Sequence, residues 1–421
     1  MPSLGCLPDD LQGKRALVRV DFNIPRSGAD VGDTTRIERT IPTIRWLLDR
    51  GARPILLSHL GRPRGFPDPV HSLAGVAGTL ASMSGLPVRF VAPCDGPEAL
   101  EASHDLEPGR VMLLENTRFS RGETENSPTM VRRLAQLGEF LVLDAFGSLH
   151  REHASTAGLA STMRPAVVGL LVQRELEALR SLDEPPLPFV VAFGGAKAAD
   201  KIMLLESLID RADRLLLGGI VANTFLRAAG LETGGSVVSE SEIPRARDLL
   251  QKAGDKISLP VDLIVASPLA VRNRPADELY GGKRKPEKEK VRPRTVLCAE
   301  GVPDDLAAFD IGARTRQLFG GEIRQARSFF WNGPMGMFER KKFASGTLSV
   351  ARAAAEATRD KALTVIGGGD SAAAVQLAGL ASAVSHVSTG GGASMELIAG
   401  STLPGLAPLA EQELRDGKLT W

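Results

Sequence analysis

Residues 188–202, with the sequence PFVVAFGGAKAADKI, constrain the fold more than any other stretch of the chain. Residues 189–193 are an apolar, β-prone run, which predicts a buried parallel strand. Two glycines end that strand, and from Ala196 the pattern predicts a helix carrying Lys197 and Lys201 on neighbouring turns. A strand passing through glycines into a helix leaves backbone N–H groups and a positive dipole end, which suit an anion. The alternative is a tight turn with surface lysines, and no G-x-x-x-x-G-K-[ST] motif is present to exclude it.

Short apolar runs followed by polar or glycine-rich loops recur along the whole chain. Predicted strands of the first half cover residues 15–22, 54–58, 88–91, 111–114 and 140–143. Those of the second half cover residues 189–193, 214–217, 259–265, 328–331, 363–366 and 384–387. Helical periodicity lies between them, as over residues 33–50 and 72–84. The alternation predicts an α/β fold with two lobes, each a Rossmann-like parallel sheet flanked by helices.

The chain length of 421 residues allows about two to three domains. Residues 169–182 predict a helix that is followed by Asp-Glu-Pro-Pro, and we interpret this helix as the hinge between the lobes. The predicted domains are an N-terminal domain at 1–170, an interdomain helix at 171–186, a C-terminal domain at 187–402 and a tail at 403–421. Residues 271–294 are rich in basic residues, proline and glutamate, and they predict a mobile surface insertion without an assigned function.

Composition excludes several classes of protein. Lys plus Arg (51) and Asp plus Glu (50) nearly cancel, so nothing indicates a nucleic-acid partner. Three cysteines, far apart, argue against a disulfide framework and fit a reducing compartment. The N-terminus has no secretory signal pattern. The longest uncharged stretch, residues 371–395, is too polar for a membrane span. We therefore expect a cytoplasmic protein with neither nucleic acid nor membrane as a partner.

Polar and basic side chains follow the predicted strands of the first half. The carboxyl ends of parallel strands meet at one sheet edge, where α/β folds bind ligands. Arg36, in a first helical turn, opposes the helix dipole, which favours an anionic partner. Because arginine matches carboxylate and phosphate oxygens, this edge predicts a pocket for a small, multiply charged anion. The candidate residues are Asp21, Asn23, Arg36, His59, Arg62, Arg118 and Arg151.

Some of these residues also have ordinary structural explanations. Asp21 and Asn23 could form an Asx turn before Pro25, and a lone histidine such as His59 after a strand is more often structural. His150 and His153 could suggest a metal, but no third ligand has a plausible spacing, which argues against zinc.

Two loops of the second half, residues 367–369 and 390–392, contain three consecutive glycines between a predicted strand and a predicted helix. Bare backbone amides in such loops can approach phosphate oxygens. A single glycine loop is weak evidence because glycine also serves tight turns, but several on one sheet edge favour a nucleotide phosphate site. Asp370 adds a carboxylate, a hard ligand that Mg²⁺ takes together with phosphate oxygens and waters.

The chain resembles the phosphoglycerate kinase family from about residue 11 to about residue 409. The resemblance is carried, in the family's order, by VRVDFNIP (18–25), TRI (35–37), SHLGRP (58–63), LLENTRF (113–119), DAFGSLHREHAS (144–155), GGAKAADKI (194–202), DIG (310–312), WNGPMGMFE (331–339), GGGDSAAA (367–374) and STGGGAS (388–394). It implies a two-lobed enzyme that moves a phosphoryl group between 1,3-bisphosphoglycerate and ADP, giving 3-phosphoglycerate and ATP, with Mg²⁺. It also implies a hinge that closes, a tail that returns to the N-terminal lobe, and a monomer with only small-molecule partners.

The resemblance also assigns roles to residues. Those implied to bind 3-phosphoglycerate are Asp21, Asn23, Arg36, His59, Arg62, Arg118 and Arg151. Those implied to bind the nucleotide are Lys201, Gly312, Asn332, Glu339, Gly367, Gly368, Gly369, Asp370 and Ser371, with Asp370 also holding the metal. Those implied to act in catalysis are Arg36, Lys197, Gly368 and Gly391.

The chain departs from the family pattern at several positions. Leu143 and Leu149 replace the usual Asn and Ala around the DAFG motif, and Ala198 and Ala199 replace the commoner Val-Ser. Two other functions stay open: a related kinase that acts on a different small acid, and a nucleotide-binding protein that has lost catalysis. The first strand leads into DFNIP rather than G-x-G-x-x-G, which disfavours a nicotinamide dehydrogenase.

Overall fold

The computed structural model describes residues 1–24, 26–27, 30–31, 34–268, 292–412 and 419. Their contacts group them into two compact units. Unit 1 comprises Met1–Glu177 and the described residues after Ala399, and unit 2 comprises Ala178–Ala399. Each unit contains a parallel sheet with helices packed on it, so the predicted α/β class with two lobes is confirmed. The predicted insertion at 271–294 lies, up to residue 291, outside the described residues.

Unit 1 is built on a sheet of six parallel strands in the order β5-β6-β4-β1-β7-β8. Strand β7 is buried along its whole length, as expected for a sheet covered on both faces. Strands β2 and β3 pair with each other in a separate antiparallel sheet. The strands are β1 Arg15–Val20, β2 Arg26–Ser27, β3 Asp30–Val31, β4 Arg53–Leu57, β5 Val88–Val91, β6 Val111–Leu114, β7 Phe140–Asp144 and β8 Ala166–Val168.

The helices of unit 1 pack their apolar sides on this sheet. In α1, Ile37, Ile44 and Leu47 of the predicted apolar face are fully buried. A π-helical turn at Ala154–Gly158 leads into α6. The helices are α1 Thr35–Leu48, α2 Ala74–Ser84, α3 Pro97–His104, α4 Arg121–Thr124, α5 Pro128–Ala135, α6 Leu159–Thr162 and α7 Leu170–Arg180, the last continuing into unit 2.

Unit 2 has a second sheet of six parallel strands, in the order β11-β10-β9-β15-β16-β17. A three-stranded antiparallel sheet, β13-β12-β14, was not predicted. The strand predicted at 259–265 is β12 of this smaller sheet and begins three residues later. The strands are β9 Phe189–Phe193, β10 Arg214–Leu217, β11 Ile257–Ser258, β12 Asp262–Ala266, β13 Arg294–Leu297, β14 Ala307–Ile311, β15 Ser328–Asn332, β16 Leu363–Gly367 and β17 His386–Val387.

The helices of unit 2 correct two predictions about where helices begin. Helix α8 begins at Ala198, so Lys197 is its N-cap residue rather than part of its first turn. The helix expected from residue 372 begins at Gly369, inside the glycine loop. The helices are α8 Ala198–Leu208, α9 Gly219–Ala228, α10 Ile243–Ala253, α11 Ala313–Gln325, α12 Ser345–Arg359, α13 Gly369–Leu377 and α14 Gly391–Ile398. None of the described helices of the chain is both long and apolar enough to cross a membrane.

The described part of the C-terminal tail bonds to unit 1. Gly405 N donates to Leu149 O at 2.9 Å, and Leu419 N donates to Cys6 O at 2.7 Å. The Gln412 side chain accepts from Ala166 N and donates to Ala166 O. A short helix, α15 Ala407–Ala410, lies between these contacts. The contact boundaries fall at residues 177/178 and 399/400, and the domain limits at 170, 186 and 402 stay a prediction.

Candidate active site

Three of the predicted anion-binding residues form one bonded group after strand β1. Arg36, from the first turn of α1, donates from Nη1 to Asp21 Oδ2 at 2.7 Å. Asp21 Oδ1 also accepts from Asn23 N at 3.1 Å, which is the predicted Asx-type turn. Asn23 Oδ1 accepts from Gly61 N at 2.8 Å, in the loop after β4. The Asx-type turn is therefore present, and the same carboxylate also pairs with Arg36, whereas ligand contacts of Asp21 and Asn23 stay a prediction.

Arg118 lies against the same loop after β4. It follows β6 and donates from Nη1 to Gly61 O at 2.7 Å. Its Nε is buried and, among the described residues, has no hydrogen-bond partner. Burial, together with the positive charges of Arg151 and Arg19, lowers the pKa of Arg118 to about 10. The structure thus concentrates positive charge here without pairing it fully, which favours binding of an anion.

Arg62 and Arg151 are exposed and close enough to Arg118 to lower its pKa. Arg151 donates from Nε to His150 Nε2 at 3.1 Å. The predicted unit 1 residues therefore do gather at one edge of the sheet, and the resulting group is called the basic pocket below. Its members are Asp21, Asn23, Arg36, His59, Arg62, Arg118 and Arg151.

Sequence reasoning missed a buried layer beneath this pocket. Arg19, in β1, is fully buried and donates from Nε to Ser155 Oγ at 2.8 Å. Glu123 is also fully buried, and it accepts from Ser155 Oγ at 2.6 Å and from Ser155 N at 3.1 Å. The available signal was an arginine within the otherwise apolar run of β1, since a charge on a buried strand requires partners.

The histidine pair considered as a metal site does not act as one unit in the structure. His153 Nδ1 lies 3.7 Å from Glu123 Oε1, whereas His150 contacts Arg151. Burial, reinforced by Arg118 and Arg19, lowers the pKa of His153 to about 4. Within the described ranges, no group of three or more His, Cys, Asp or Glu side chains could hold a metal ion.

In unit 2 the turn after β9 differs from the expected anion loop. Gly194 N donates to Asn332 O at 3.1 Å, and Gly195 N donates to Pro334 O at 2.7 Å, so neither amide is free for a ligand. A Cβ on Gly194 would lie 2.1 Å from Pro334 O, which explains the glycine as a close backbone approach. The expectation that this turn leaves free backbone N–H groups therefore does not hold for Gly194 and Gly195, because the end of β15 and the loop after it accept both.

A cavity of about 230 Å³ lies beside this turn in unit 2. Gly195 and Gly219 contribute to its lining, and a Cβ on Gly219 would lie 2.7 Å from Gly195 N, so the two backbones pack closely at this wall. Its walls are largely apolar and include a few polar groups, which is typical of a small-molecule site. The lining includes Leu263, Phe309, Met335, Asn223, Glu339 and Asp370.

Asp310, another lining residue of this cavity, was named from sequence only within the DIG motif. Its Oδ1 accepts from Ile311 N at 2.9 Å and its Oδ2 accepts from Gly346 N at 2.7 Å, at the start of α12. Burial raises its pKa to about 7. A Cβ on Gly336 would lie 2.3 Å from Asp310 Oδ1. Asp310 therefore holds one wall of the cavity to α12.

Lys201 lies near the Asp370 edge of the cavity, on the first turns of α8. Its side chain is largely buried, and this burial lowers its pKa to about 8 despite the opposing effect of Asp370 and Asp200. Lys197, at the N-cap of α8, is exposed and lowers that pKa further. The expected two lysines and the Asp370 carboxylate are thus close together, and the exposed Lys197 and Asp370 are accessible to a ligand.

The glycine loop after β16 packs on β15. Asn332 is buried, and its Nδ2 has no hydrogen-bond partner among the described residues. A Cβ on Gly368 would lie 3.3 Å from that nitrogen, and Gly368 has a φ of +88°, so glycine is required there. Ser371 Oγ accepts from Gly333 N at 2.6 Å. Ser371 therefore ties the two loops together instead of pointing at solvent.

Three other predicted residues have simpler surroundings. Gly312 precedes α11, and a Cβ there would lie 2.2 Å from Asp262 Cγ. The carboxylate of Asp262 accepts from Arg314 N and Thr315 N, so it caps α11 and Gly312 allows its approach. Gly367 is the last residue of β16, and Gly391 is the first residue of α14. Their ligand contacts stay predictions.

Comparison with known proteins agrees with this architecture. Residues 8–401 match the family model described as phosphoglycerate kinase. The chain belongs to the phosphoglycerate kinase family. It is similar to the phosphoglycerate kinase of Rubrobacter xylanophilus, with 48% identity over 405 residues that cover 96% of this chain and 97% of that protein. The phosphoglycerate kinase of Desulforudis audaxviator is also 48% identical, over 95% of this chain and 97% of that protein.

Solved structures of phosphoglycerate kinases share the fold. The structure from Coxiella burnetii has a TM-score of 0.80 and 35% identity, covering 97% of this chain and 98% of that chain. The structure from Pyrococcus horikoshii has a TM-score of 0.83 and 30% identity, with the same coverage. As a member of the phosphoglycerate kinase family, the protein is an enzyme of the phosphotransferase class.

The two departures from the family pattern near the basic pocket are buried. Leu143 has no exposed surface, and it lies in β7 opposite Arg19 of β1. Leu149 is also fully buried and packs on the C-terminal tail, since a Cβ on Gly405 would lie 2.9 Å from Leu149 Cδ2. Leu143 therefore packs in the sheet beside Arg19, and Leu149 packs against the C-terminal tail.

Proposed function

We propose that the enzyme catalyses the reversible, Mg²⁺-dependent transfer of a phosphoryl group between 1,3-bisphosphoglycerate and ADP, giving 3-phosphoglycerate and ATP. The observation that carries this proposal is the gathering of four arginines and a histidine at one sheet edge of unit 1. Such a pocket suits an acid that carries both a carboxylate and a phosphate. The apolar cavity of unit 2, with Lys201 and Asp370 at its polar edge, suits a nucleotide whose base is buried and whose phosphates reach the lysines.

In this reaction the residues align the two substrates and neutralise the negative charge of the phosphoryl group. A carboxylate acceptor is already ionised, so the step needs no general base. The acyl phosphate oxygen–phosphorus bond breaks as the bond to ADP forms, and charge develops on the transferring phosphoryl oxygens. In this proposal Arg36 and Lys197 stabilise that charge, and the backbone at Gly368 and Gly391 assists.

The donor set fits Mg²⁺. Asp370 is an exposed carboxylate in the first turn of α13, and Mg²⁺ takes one or two carboxylates together with phosphate oxygens and waters. Asp370 would hold the ion, which when bound neutralises nucleotide phosphate charge.

The acceptor residues and the nucleotide residues belong to different units, and in this proposal a closing movement brings the two substrates together and excludes water. We propose α7 as its hinge. A monomer acting in the cytoplasm on small molecules is the form of the enzyme that we propose.

The experiment that tests this function is a coupled assay of the purified protein with 3-phosphoglycerate and MgATP, reading 1,3-bisphosphoglycerate formation. We expect robust turnover. Absence of turnover while MgATP still binds would contradict the proposed acceptor and favour a kinase acting on another small acid. Absence of turnover with every small acid tested would instead favour a nucleotide-binding protein without catalysis.

Replacing Asp370 by asparagine should chiefly weaken productive Mg-nucleotide binding. The amide keeps the size of the side chain and removes the charge that attracts the cation, so we expect at least about a tenfold rise in the Mg²⁺ concentration needed for half-maximal rate. The matched control is Asp200→Asn, which removes a neighbouring exposed carboxylate that also faces Lys201. An unchanged Mg²⁺ dependence in Asp370→Asn would argue against its role as metal ligand.

Nucleotide affinity should fall as the pH rises above about 8. Lys201 has its pKa lowered to about 8, so it is charged below that pH and loses its charge above it. Titration calorimetry with MgADP from pH 6.5 to about 9.5 measures this change. Lys201→Arg keeps the charge over that range and should flatten the profile. A profile equally steep in both proteins would show that another group causes it.

A further inference from the structure

Arg19 is the one charged residue of strand β1 that lies within its buried core, and it contacts His59 of the basic pocket. Arg19 Nη2 lies 3.0 Å from His59 Nδ1. A guanidinium has only donors, so in this hydrogen bond His59 Nδ1 must be the acceptor. A neutral imidazole that accepts at Nδ1 carries its proton on Nε2. The contact therefore determines the tautomer of His59.

Arg19 is itself held rigidly. Its Nε donates to Ser155 Oγ at 2.8 Å, its Nη1 donates to Val20 O, and its Nη2 also reaches Ser148 Oγ at 3.4 Å. Ser155 Oγ, having accepted from Arg19, donates to Glu123 Oε1 at 2.6 Å. A continuous chain of hydrogen bonds thus runs from the Glu123 carboxylate through a serine hydroxyl to the guanidinium and on to the imidazole.

The charges along this chain are balanced. Glu123 and Arg19 are both fully buried, and a buried charge needs a nearby partner of opposite sign. Burial lowers the pKa of Arg19, whereas Glu123 and Asp21 oppose that change. Ser155 separates the two charged groups, so the guanidinium keeps a donor available for His59 and is not fully engaged by the carboxylate.

The surroundings of His59 keep it neutral. Its side chain is buried, and burial is the largest cause lowering its pKa well below the ordinary value. The charged or titratable groups that face it and lower this pKa further are Arg19, Arg118, Arg36 and His153. His59 thus differs from the arginines around it, because it can offer an N–H to an anion without adding a positive charge.

We propose that Arg19, held by Ser155 and Glu123, is a positioning residue that keeps His59 in the Nε2–H tautomer, so that His59 presents a fixed neutral donor to the carboxylate or phosphate of the acceptor. This inference rests on the proposed function for the identity of the acceptor. The tautomer itself is a property of the protein alone and can be measured without substrate.

The first test is nuclear magnetic resonance of protein labelled with ¹⁵N-histidine. The chain has six histidines, and the His59 signals are assigned by their loss in His59→Gln. We expect long-range ¹H–¹⁵N correlations of a single Nε2–H tautomer at neutral pH. Arg19→Met should give a mixed tautomer and a higher His59 pKa. A charged or Nδ1–H imidazole in the unaltered protein would overturn the proposal, whatever the coupled assay shows.

The second test separates positioning from general stability. Glutamine places its amide nitrogen where Nε2 lies, and asparagine places it where Nδ1 lies. We expect the KM for 3-phosphoglycerate to be about tenfold lower in His59→Gln than in His59→Asn. The two variants should have the same thermal stability. Equal KM values in the two variants would overturn the proposed donor.

A control on the same strand completes the design. Arg15, at the other end of β1, bonds to Ser103 and pairs with Glu139. Arg15→Met should leave the His59 tautomer and the KM for 3-phosphoglycerate unchanged. If Arg19→Met does not fold, Ser155→Ala is the alternative variant, because it removes the hydroxyl that links Glu123 to Arg19. An unaltered tautomer and pKa of His59 in Ser155→Ala would show that Glu123 and Ser155 do not support the position of Arg19.

Discussion

Replacing Arg36 by alanine should lower kcat by about 10²–10³-fold, the effect of removing one preorganised donor from a developing negative charge. The structure places Arg36 in the first turn of α1, bonded to Asp21 and still about one-third exposed. Because its position opposes the helix dipole, it is not there to stabilise α1. Steady-state kinetics with 3-phosphoglycerate and MgATP measure the change.

The fold should survive this substitution. A partly exposed ion pair contributes about 1 kcal/mol or less, so the melting temperature should change little. Arg45→Ala is the matched control, since Arg45 lies on the same helix, is exposed and donates to Ser84 O at 2.9 Å, away from the pocket. Near-normal kcat in Arg36→Ala, or an equal loss in Arg45→Ala, would exclude a direct role in transfer.

Replacing Lys197 by alanine should reduce kcat by a similar factor of about 10²–10³, with a smaller change in the KM for MgATP. Lys197 is exposed at the N-cap of α8, near Lys201. A side chain that stabilises charge only during transfer contributes more to the transition state than to the ground state, which produces this split between kcat and KM. Single-turnover measurements confirm that the chemical step is the one slowed.

Stability distinguishes this role from a structural one. A positive charge at a helix N-terminus is unfavourable, so Lys197→Ala should leave the thermal stability of unit 2 unchanged or slightly higher. Lys252→Ala, which removes an exposed lysine paired with Asp210, is the control and should keep normal turnover. Normal kcat in Lys197→Ala would remove the proposed catalytic role of this lysine.

The pattern of apolar runs predicted most strands of the two parallel sheets. Four strands have the predicted bounds, and two of them, Val111–Leu114 and Phe189–Phe193, are buried along their whole length, because a buried parallel strand needs side chains that are apolar on both faces. The sequence was less able to indicate the antiparallel sheet around Asp262–Ala266, whose short strands depend on pairing between distant segments. Two helices, α8 and α13, also begin at residues other than the predicted ones, namely at Ala198 and Gly369, because the beginning of each helix depends on how the neighbouring loops pack.

The kinds of side chain that meet at the strand ends can be predicted from the amino-acid sequence, because parallel strands bring their carboxyl ends to one edge. Which hydrogen-bond donors are still available there depends on contacts made in the folded protein. The amides of Gly194 and Gly195 donate to Asn332 O and Pro334 O, and Arg19 bonds to His59 across 40 positions of the chain. Whether a buried polar group has a hydrogen-bond partner depends on residues far away in the chain, and the local sequence does not contain that information.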